Sequence, residues 1–416
     1  MTVAIVGGGF SGSIVAAGLL KASEAPIEIL LLEKTGNFGA GLAYATDDPL
    51  HLLNVPAAKM SAVADDPDHF VNWLRQNKQI HDPFVPRGIY RSYIQDHLNE
   101  AASNPKNSDS RLSRIVDEAI ALNGQFEIET KSGESLQADY LVLATGHLPE
   151  TRFGSLPTQP IRGRVVLIGS GLTAIDAALS ALAESPSTTV TAISPHGSLP
   201  ETYACTQPHA LSTQPKPLRQ TLKQLRKDIE EVKDWQPVFD TMRPHWDQIW
   251  QGLTPREQHQ FLAHLAWRFD KHRHRIPPAA ASALQEFAEQ GRFQVLRGTV
   301  QKLSPGKVVY SVDGEAKCLE ADSVVDCTGR SVNWAKTNDP FIRDLFSKRY
   351  IEQGPHQMGI DRVADRIYAI GPMLKGVLWE TTAVAELRVQ AKNIYEALLA
   401  DFLTSSSNAL RSRRQD

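Results

Sequence analysis

Cysteine is scarce in this chain: its 416 residues include three, Cys205, Cys318 and Cys327. An odd number at wide spacing excludes a disulfide framework and leaves no C-x-x-C pair for dithiol chemistry. Long hydrophobic runs are missing as well. No apolar stretch approaches the roughly eighteen residues of a membrane span, and the chain enters an apolar strand without a basic leader, so a cytoplasmic address away from membranes is expected. Charge of one sign is not in excess either, since 44 basic against 47 acidic side chains give a net charge of -3, which argues against general nucleic-acid binding. With 42% hydrophobic and 22% charged residues the chain reads as globular. Its length suggests about two or three domains rather than one core.

What the sequence does contain begins immediately. The apolar run Thr2 to Val6 leads into Gly7-x-Gly9-x-x-Gly12 and then into the helix-forming run Ser13 to Leu20. Gly7 permits the tight strand-to-helix turn, Gly9 lets backbone approach a pyrophosphate, and Gly12 allows close helix–strand packing. Phe10 and Ser11 sit in the first turn, whose free N–H groups would face the phosphates. The next apolar run, Ile27 to Leu32, ends in Glu33-Lys34, about twenty residues past Gly12, where a carboxylate meets ribose hydroxyls. This is the pattern of a dinucleotide site.

The same design recurs in mid-chain. Arg164 to Ile168 leads into Gly169-Ser-Gly171-Leu172-Thr173-Ala174 and a small-residue helix, with Ala174 in place of the third glycine. The following strand, Thr188 to Ile193, ends in Ser194-Pro195-His196 with no carboxylate for a ribose 2′-hydroxyl, which favours NADPH, with NADH the alternative. A basic cluster farther on, Arg268, Lys271, His272, Arg273, His274 and Arg275, reads either as a solvated face or as a contact to that phosphate or to an acidic substrate. Flanking cations and the lack of a Cys or carboxylate cluster argue against metal there. Residues Thr213 to His274 suggest an inserted helical lid. Phe261, Leu262, Leu265 and Ala266 recur at helical spacing and are assigned to core, with His264 and Trp267 candidates for a pocket rim.

Further stretches carry a family resemblance: Gly39-Ala-Gly41-Leu-Ala-Tyr44, His51-Leu-Leu-Asn54-Val-Pro56-Ala-Ala-Lys-Met60, Phe84-Val-Pro-Arg87-Gly-Ile-Tyr90-Arg-Ser-Tyr93, and Ile367 through Gly371-Pro372, Gly376 and Trp379 to Ala391. From Met1 to about Asn393 the chain resembles the FAD/NAD(P)-binding family of bacterial flavoproteins, neighbours of the flavin-dependent N-hydroxylating and Baeyer–Villiger monooxygenases. The resemblance implies an α/β fold of two dinucleotide-binding Rossmann-like domains, glutathione-reductase-like, with a helical insertion. It places the FAD domain at 1–160 and 320–403, the NAD(P) domain at 161–319 with an insert at about 200–290, and a flexible tail at 404–416. Two strand-to-turn stretches, ending in Ala144-Thr145-Gly146 and Cys327-Thr328-Gly329, then mark the crossings between domains.

The resemblance also implies site roles. Asn54, Pro56 and Met60 lie along the flavin ring, the backbone of Val116 contacts adenine, and Ile367 to Thr382 closes the flavin site. Arg87 is either a phosphate or helix-positioning contact or a surface ion-pair partner, with Tyr90 and Tyr93 packing nearby. Glutathione-reductase-like flavoproteins carry Gly-Asp where this chain has Gly371-Pro372, so backbone N–H groups around Gly376 to Leu378 are expected to carry more of the contact. His51, Lys59 and Glu380 are catalytic candidates only by position, and the catalytic side chains stay unassigned.

Together these readings imply an oxidoreductase acting on a small molecule. In it NADPH reduces FAD and oxygen forms a C4a-hydroperoxide, as in a flavin monooxygenase. The alternatives are an NAD(P)H-dependent reductase or dehydrogenase without oxygen insertion, and a non-enzymatic flavin-binding regulatory module.

Overall fold

A computed structural model of the chain describes residues 1–124, 126–153, 161–204, 218–232 and 234–412. They divide into two compact units: Met1–Asp47, Pro56–Leu148 and Val332–Asp416 form one, and Asp48–Val55 with Pro149–Ser331 form the other.

In the first unit, β1 (Thr2–Val6), β2 (Glu28–Leu32), β3 (Arg111–Ile115), β4 (Tyr140–Leu143) and the strand Ile367–Ala369 make one sheet. Its order is Ile367–Ala369, β4, β1, β2, β3, and every pairing is parallel. A central parallel strand is covered on both faces, so it must be apolar throughout, as β4 is: all four of its residues are buried. Helix α1 (Phe10–Ala22) follows β1, and α2 (Arg87–Ser103) packs beside it. The C-terminal helix Val384–Ser412 also lies on α1 and extends past residue 403, where the sequence suggested a flexible tail. Gly18 makes that close approach, since a Cβ there would stand 2.3 Å from the Tyr395 ring.

The second unit repeats the plan around β5 (Arg164–Ile168), β6 (Thr189–Ser194), β7 (Phe293–Arg297) and β8 (Ser323–Asp326), a parallel sheet in the order β7, β6, β5, β8. Helix α3 (Leu172–Glu184) follows β5. The insert is helical as expected: α4 (Leu218–Val232), α5 (Trp235–Met242), α6 (Trp246–Gly252), α7 (Pro255–His264) and α8 (Ala266–Arg273). Helix α7 starts on a full capping box, Thr254 with Glu257, and has Pro255 at its first position. The expected core of the insert is displaced. Phe261, Leu262, Leu265 and Ala266 are only half-buried, whereas Val238, Met242, Trp246, Ile249 and Trp250 on α5 and α6 are buried. One amphipathic run across 261–268 is also not what forms, because Leu265 (φ -117, ψ -27) separates α7 from α8.

The grouping of Asp48–Val55 with the second unit differs from the sequence expectation that everything before residue 161 belongs to the first domain. A local network accounts for it. Ser180 on α3 donates to Asp48, while His51 Nε2 lies 2.8 Å from Ser180 Oγ and 3.5 Å from the Asp48 carboxylate. Burial works against the ionised Asp48, but the Ser180 hydroxyl and the Leu50 N–H outweigh it and hold the carboxyl below its ordinary range. His51 is thereby committed to anchoring this segment on α3.

Candidate functional site

The first glycine turn rests on backbone contacts that no side chain could share. Gly7 has φ +107, and a Cβ there would stand 2.2 Å from the Ala144 carbonyl oxygen; at Gly12 it would stand 1.9 Å from that of Gly7. Helix α1 begins at Phe10 with Gly9 as N-cap and no side-chain cap, so its leading N–H groups and positive dipole end remain available to an anion.

Glu33 closes one side of this turn. Its Oε2 accepts from the Gly8 N–H at 3.1 Å, and its Oε1 from the N–H and hydroxyl of Thr35 at 3.2 and 2.9 Å. Lys34 is exposed and lies 3.6 Å from Glu118. Val116 is 63% exposed, and a Cβ on Gly36 of the Glu33 loop would stand 3.3 Å from it. An uncovered apolar side chain beside the Glu33 loop offers a surface on which a flat ring could pack.

The two ends of the chain meet at Gly371, where a Cβ would lie 3.7 Å from Ser11 Oγ, and whose own N–H donates to Gln390 Oε1 at 3.1 Å. Three buried polar atoms near this junction and the Gly7 turn have no partner among the described residues: Thr145 Oγ1, Thr381 Oγ1 and Gln390 Nε2. Buried polar groups are ordinarily bonded, so these donors fit a polar ligand chain such as the ribityl and pyrophosphate of FAD. Sequence reasoning assigned Thr381 only as part of the Ile367 to Thr382 stretch and missed Gln390, which lies beyond it in the C-terminal helix. Gly146, at φ +71, faces open space next to Thr145.

The expectation for Gly376 to Leu378 is corrected. The Gly376 N–H donates to Leu378 O, and those of Val377 and Leu378 donate to Leu374 O, so the turn consumes them itself. Gly376 is required instead because a Cβ would stand 2.5 Å from Met358 O. Trp379 is buried, with the Lys375 ammonium 3.5 Å from its ring centroid and bonded to its carbonyl oxygen at 2.6 Å. Met60 is buried and its carbonyl oxygen accepts from the Tyr90 hydroxyl at 2.8 Å. Phe10, Tyr44 and Tyr90 cluster, with Phe10 and Tyr44 each within 6.0 Å of Tyr90 between ring centroids, which ties Met60 to the start of α1. Arg87 is the first residue of α2, half-buried, and its charge opposes the upward push that burial gives the Tyr44 hydroxyl. Lys59 is exposed, Glu380 is buried, and Asn54, half-buried, belongs to the segment grouped with the second unit.

The second glycine turn reproduces the first. Gly169 has φ +114 and its Cβ would stand 2.5 Å from Cys327 O, while Gly171 is the N-cap of α3, without a side-chain cap, and a Cβ on it would meet nothing within 4 Å. Leu172 and Thr173 open the helix, and Ala174 is buried where a third glycine would sit. The Ser194 hydroxyl is engaged, accepting from Ser170 Oγ at 2.9 Å and from the Gly197 N–H at 3.2 Å. Of the basic cluster, Arg275 is buried and pairs with Asp240 at 2.7 Å, and Lys271 pairs with Glu201 at 3.0 Å. Cys327 is buried and its thiol is pushed up to about 12, first by burial and then by Asp326 and Asp176; Cys205 lies outside the described residues.

Comparison with known proteins agrees with this geometry. Residues 4–148 match the FAD-NAD(P)-binding family model. The structure is similar to the reduced ornithine hydroxylase of Pseudomonas aeruginosa, at TM-score 0.61 and 18% identity over 96% of this chain and 98% of that one. It is similar to the ornithine N-hydroxylase of Kutzneria sp. 744, at TM-score 0.60 and 16% identity over 95% and 98%. It is also similar to the bacillithiol disulfide reductase of Bacillus cereus, at TM-score 0.53 and 15% identity over 96% and 99%. No curated protein matches the chain. The family match thus covers residues 4–148, and the chain as a whole has the two-domain α/β fold of the ornithine hydroxylases to which it is similar.

Proposed function

We propose that this protein is an FAD- and NADPH-dependent oxidoreductase, and specifically a monooxygenase acting on a small nitrogen- or carbon-centred substrate. The observation that carries the oxidoreductase reading is the duplicated glycine turn, each turn opening an uncapped helix at the end of a buried parallel strand. Gly7, Gly9, Phe10, Ser11, Gly12, Glu33, Thr145 and Gly371 would hold FAD, with Thr381 and Gln390 in the role that an acid holds elsewhere. Gly169, Gly171, Leu172 and Thr173 would hold the nicotinamide nucleotide. When bound, the two groups supply hydride transfer from nicotinamide to flavin, and electrons to a final acceptor. The protein's part is to orient them and to keep water from the reacting atoms.

The monooxygenase reading is supported by the likeness to two ornithine hydroxylases and by the state of the thiols. Cys327 is buried and protonated at neutral pH, which does not suit a redox cysteine. The likeness to a disulfide reductase favours the second reading, electron transfer without oxygen insertion. Rapid mixing decides between them. Protein reduced by NADPH without oxygen and then mixed with oxygen should show a transient absorbance distinct from oxidised and reduced flavin, and yield a hydroxylated amine or an ester. Direct reoxidation with only peroxide formed, outpaced by a quinone or disulfide acceptor, would replace the first reading with the second.

A further inference from the structure

The loop after β6 occupies the place where this type of domain distinguishes its nucleotides, because the end of the second strand meets the adenosine ribose. Here Ser194 has displaced the usual carboxylate, so nothing at that position repels a phosphate. The loop is fastened to the glycine turn: Ser170 donates to Ser194 Oγ at 2.9 Å and to Ser198 O at 2.7 Å. His196 stands between these two anchor points and is exposed. Its ring lies flat on Trp267 of α8, 3.7 Å between centroids and 17° between planes, and the Arg268 guanidinium stands 5.2 Å from the same indole.

The surrounding cations are already engaged. Arg297, which Gly197 touches, pairs with Asp313 at 2.9 Å; Lys271 pairs with Glu201 and Arg275 with Asp240. Arg268 is exposed, and among the described residues no carboxylate pairs with it. The His196–Trp267 stack therefore joins the loop after β6 to α8, where the Arg268 guanidinium has no carboxylate partner among the described residues. Stacking on an indole locates a guanidinium while leaving its N–H fork free for a phosphate.

We propose that His196, Trp267 and Arg268 form the subsite for the 2′-phosphoadenosine end of NADPH, with Arg268 pairing with the 2′-phosphate and the His196–Trp267 stack flanking the adenosine. This assigns a nucleotide-selecting role to the helical insert. It rests on reading the second glycine turn as the nicotinamide-nucleotide site.

The test is equilibrium binding to the flavin-loaded full chain, by calorimetry and tryptophan fluorescence, with NADP+, NAD+ and adenosine 2′,5′-bisphosphate. Wild type should bind NADP+ and the bisphosphate more tightly than NAD+. Arg268→Ala should weaken both phosphorylated ligands by on the order of ten- to a hundredfold, the size of a charge-assisted hydrogen bond, and leave NAD+ unchanged. Arg268→Lys should recover part of the loss, and Trp267→Phe should preserve the fold while removing much of the fluorescence response. Equal effects of Arg268→Ala on NADP+ and NAD+, no effect on either, or a wild-type preference for NAD+ would each overturn the subsite and leave the oxidoreductase reading intact. If wild type binds neither nucleotide, and Gly171→Val behaves identically, then the nicotinamide site itself is wrong and the subsite falls with it.

Discussion

A valine at position 9 would place branched carbons at the mouth of the first turn, where even a single Cβ comes within 3.0 Å of Gly41 Cα. The loss has two parts: space for the pyrophosphate and the approach of the α1 N-terminus, whose dipole alone contributes on the order of 0.3–1 kcal/mol. Purified Gly9→Val should therefore keep its far-UV dichroism and lose its yellow colour. A folded variant that retains stoichiometric FAD would remove Gly9 from the site. Cys327 gives a second test at this scale. The thiolate is the nucleophile, so a thiol held at about 12 is inert at pH 8 and becomes reactive only as pH approaches that value. Exposed Cys318 should take up iodoacetamide in the native protein at pH 8 while Cys327 does so only after denaturation; peptide mass mapping reads both. Native labelling of Cys327 at pH 8 would reopen a thiol mechanism.

At the scale of elements, Gly18 sets two opposed effects against one another. Alanine in mid-helix gains about 1 kcal/mol over glycine, but here its Cβ would sit 2.3 Å from the Tyr395 ring on the C-terminal helix, and overpacking of this kind costs about 1–3 kcal/mol. Packing should win. Gly18→Ala should lower the thermal midpoint, and adding Tyr395→Leu should restore it; a stabilised single variant would show that the helices part easily. This contact also marks where sequence stops being informative. The two glycine turns, Glu33 and the capped start of α7 are legible because a few adjacent residues fix each of them. The crossing at Gly18 and the junction of Ser11 with Gly371 depend on residues more than 350 positions apart in the chain, and no local pattern announces them. Nor does one announce Gln390, which reads as an ordinary helix-face glutamine until its Oε1 is found on the Gly371 N–H. The expectation for Gly376 to Leu378 met a related difficulty: those N–H groups were to make up for the acid that Pro372 replaces, while the turn's own hydrogen bonds take them.

The described residues form two parallel sheets, each with its own apolar cluster. Ala4, Leu32 and Leu141 belong to one, and Val165, Ala178 and Val190 to the other. A lesion confined to the second glycine turn should therefore leave the first unit's ligand in place. Gly171→Val is suited to this, because a Cβ there would meet, among the described residues, nothing within 4 Å beyond its own chain neighbours, so the substitution obstructs a ligand and not the fold. The variant should purify yellow with full FAD content and be reduced by dithionite as readily as wild type. It should fail to be reduced by NADPH, with the observed rate lower by at least on the order of a hundredfold if the N–H contacts to pyrophosphate are lost together with the space for it. Anaerobic spectra recorded with each reductant separate the outcomes. Loss of FAD would mean that the two glycine turns do not serve separate ligands, and wild-type reduction by NADPH would mean that the nicotinamide nucleotide does not use the second turn.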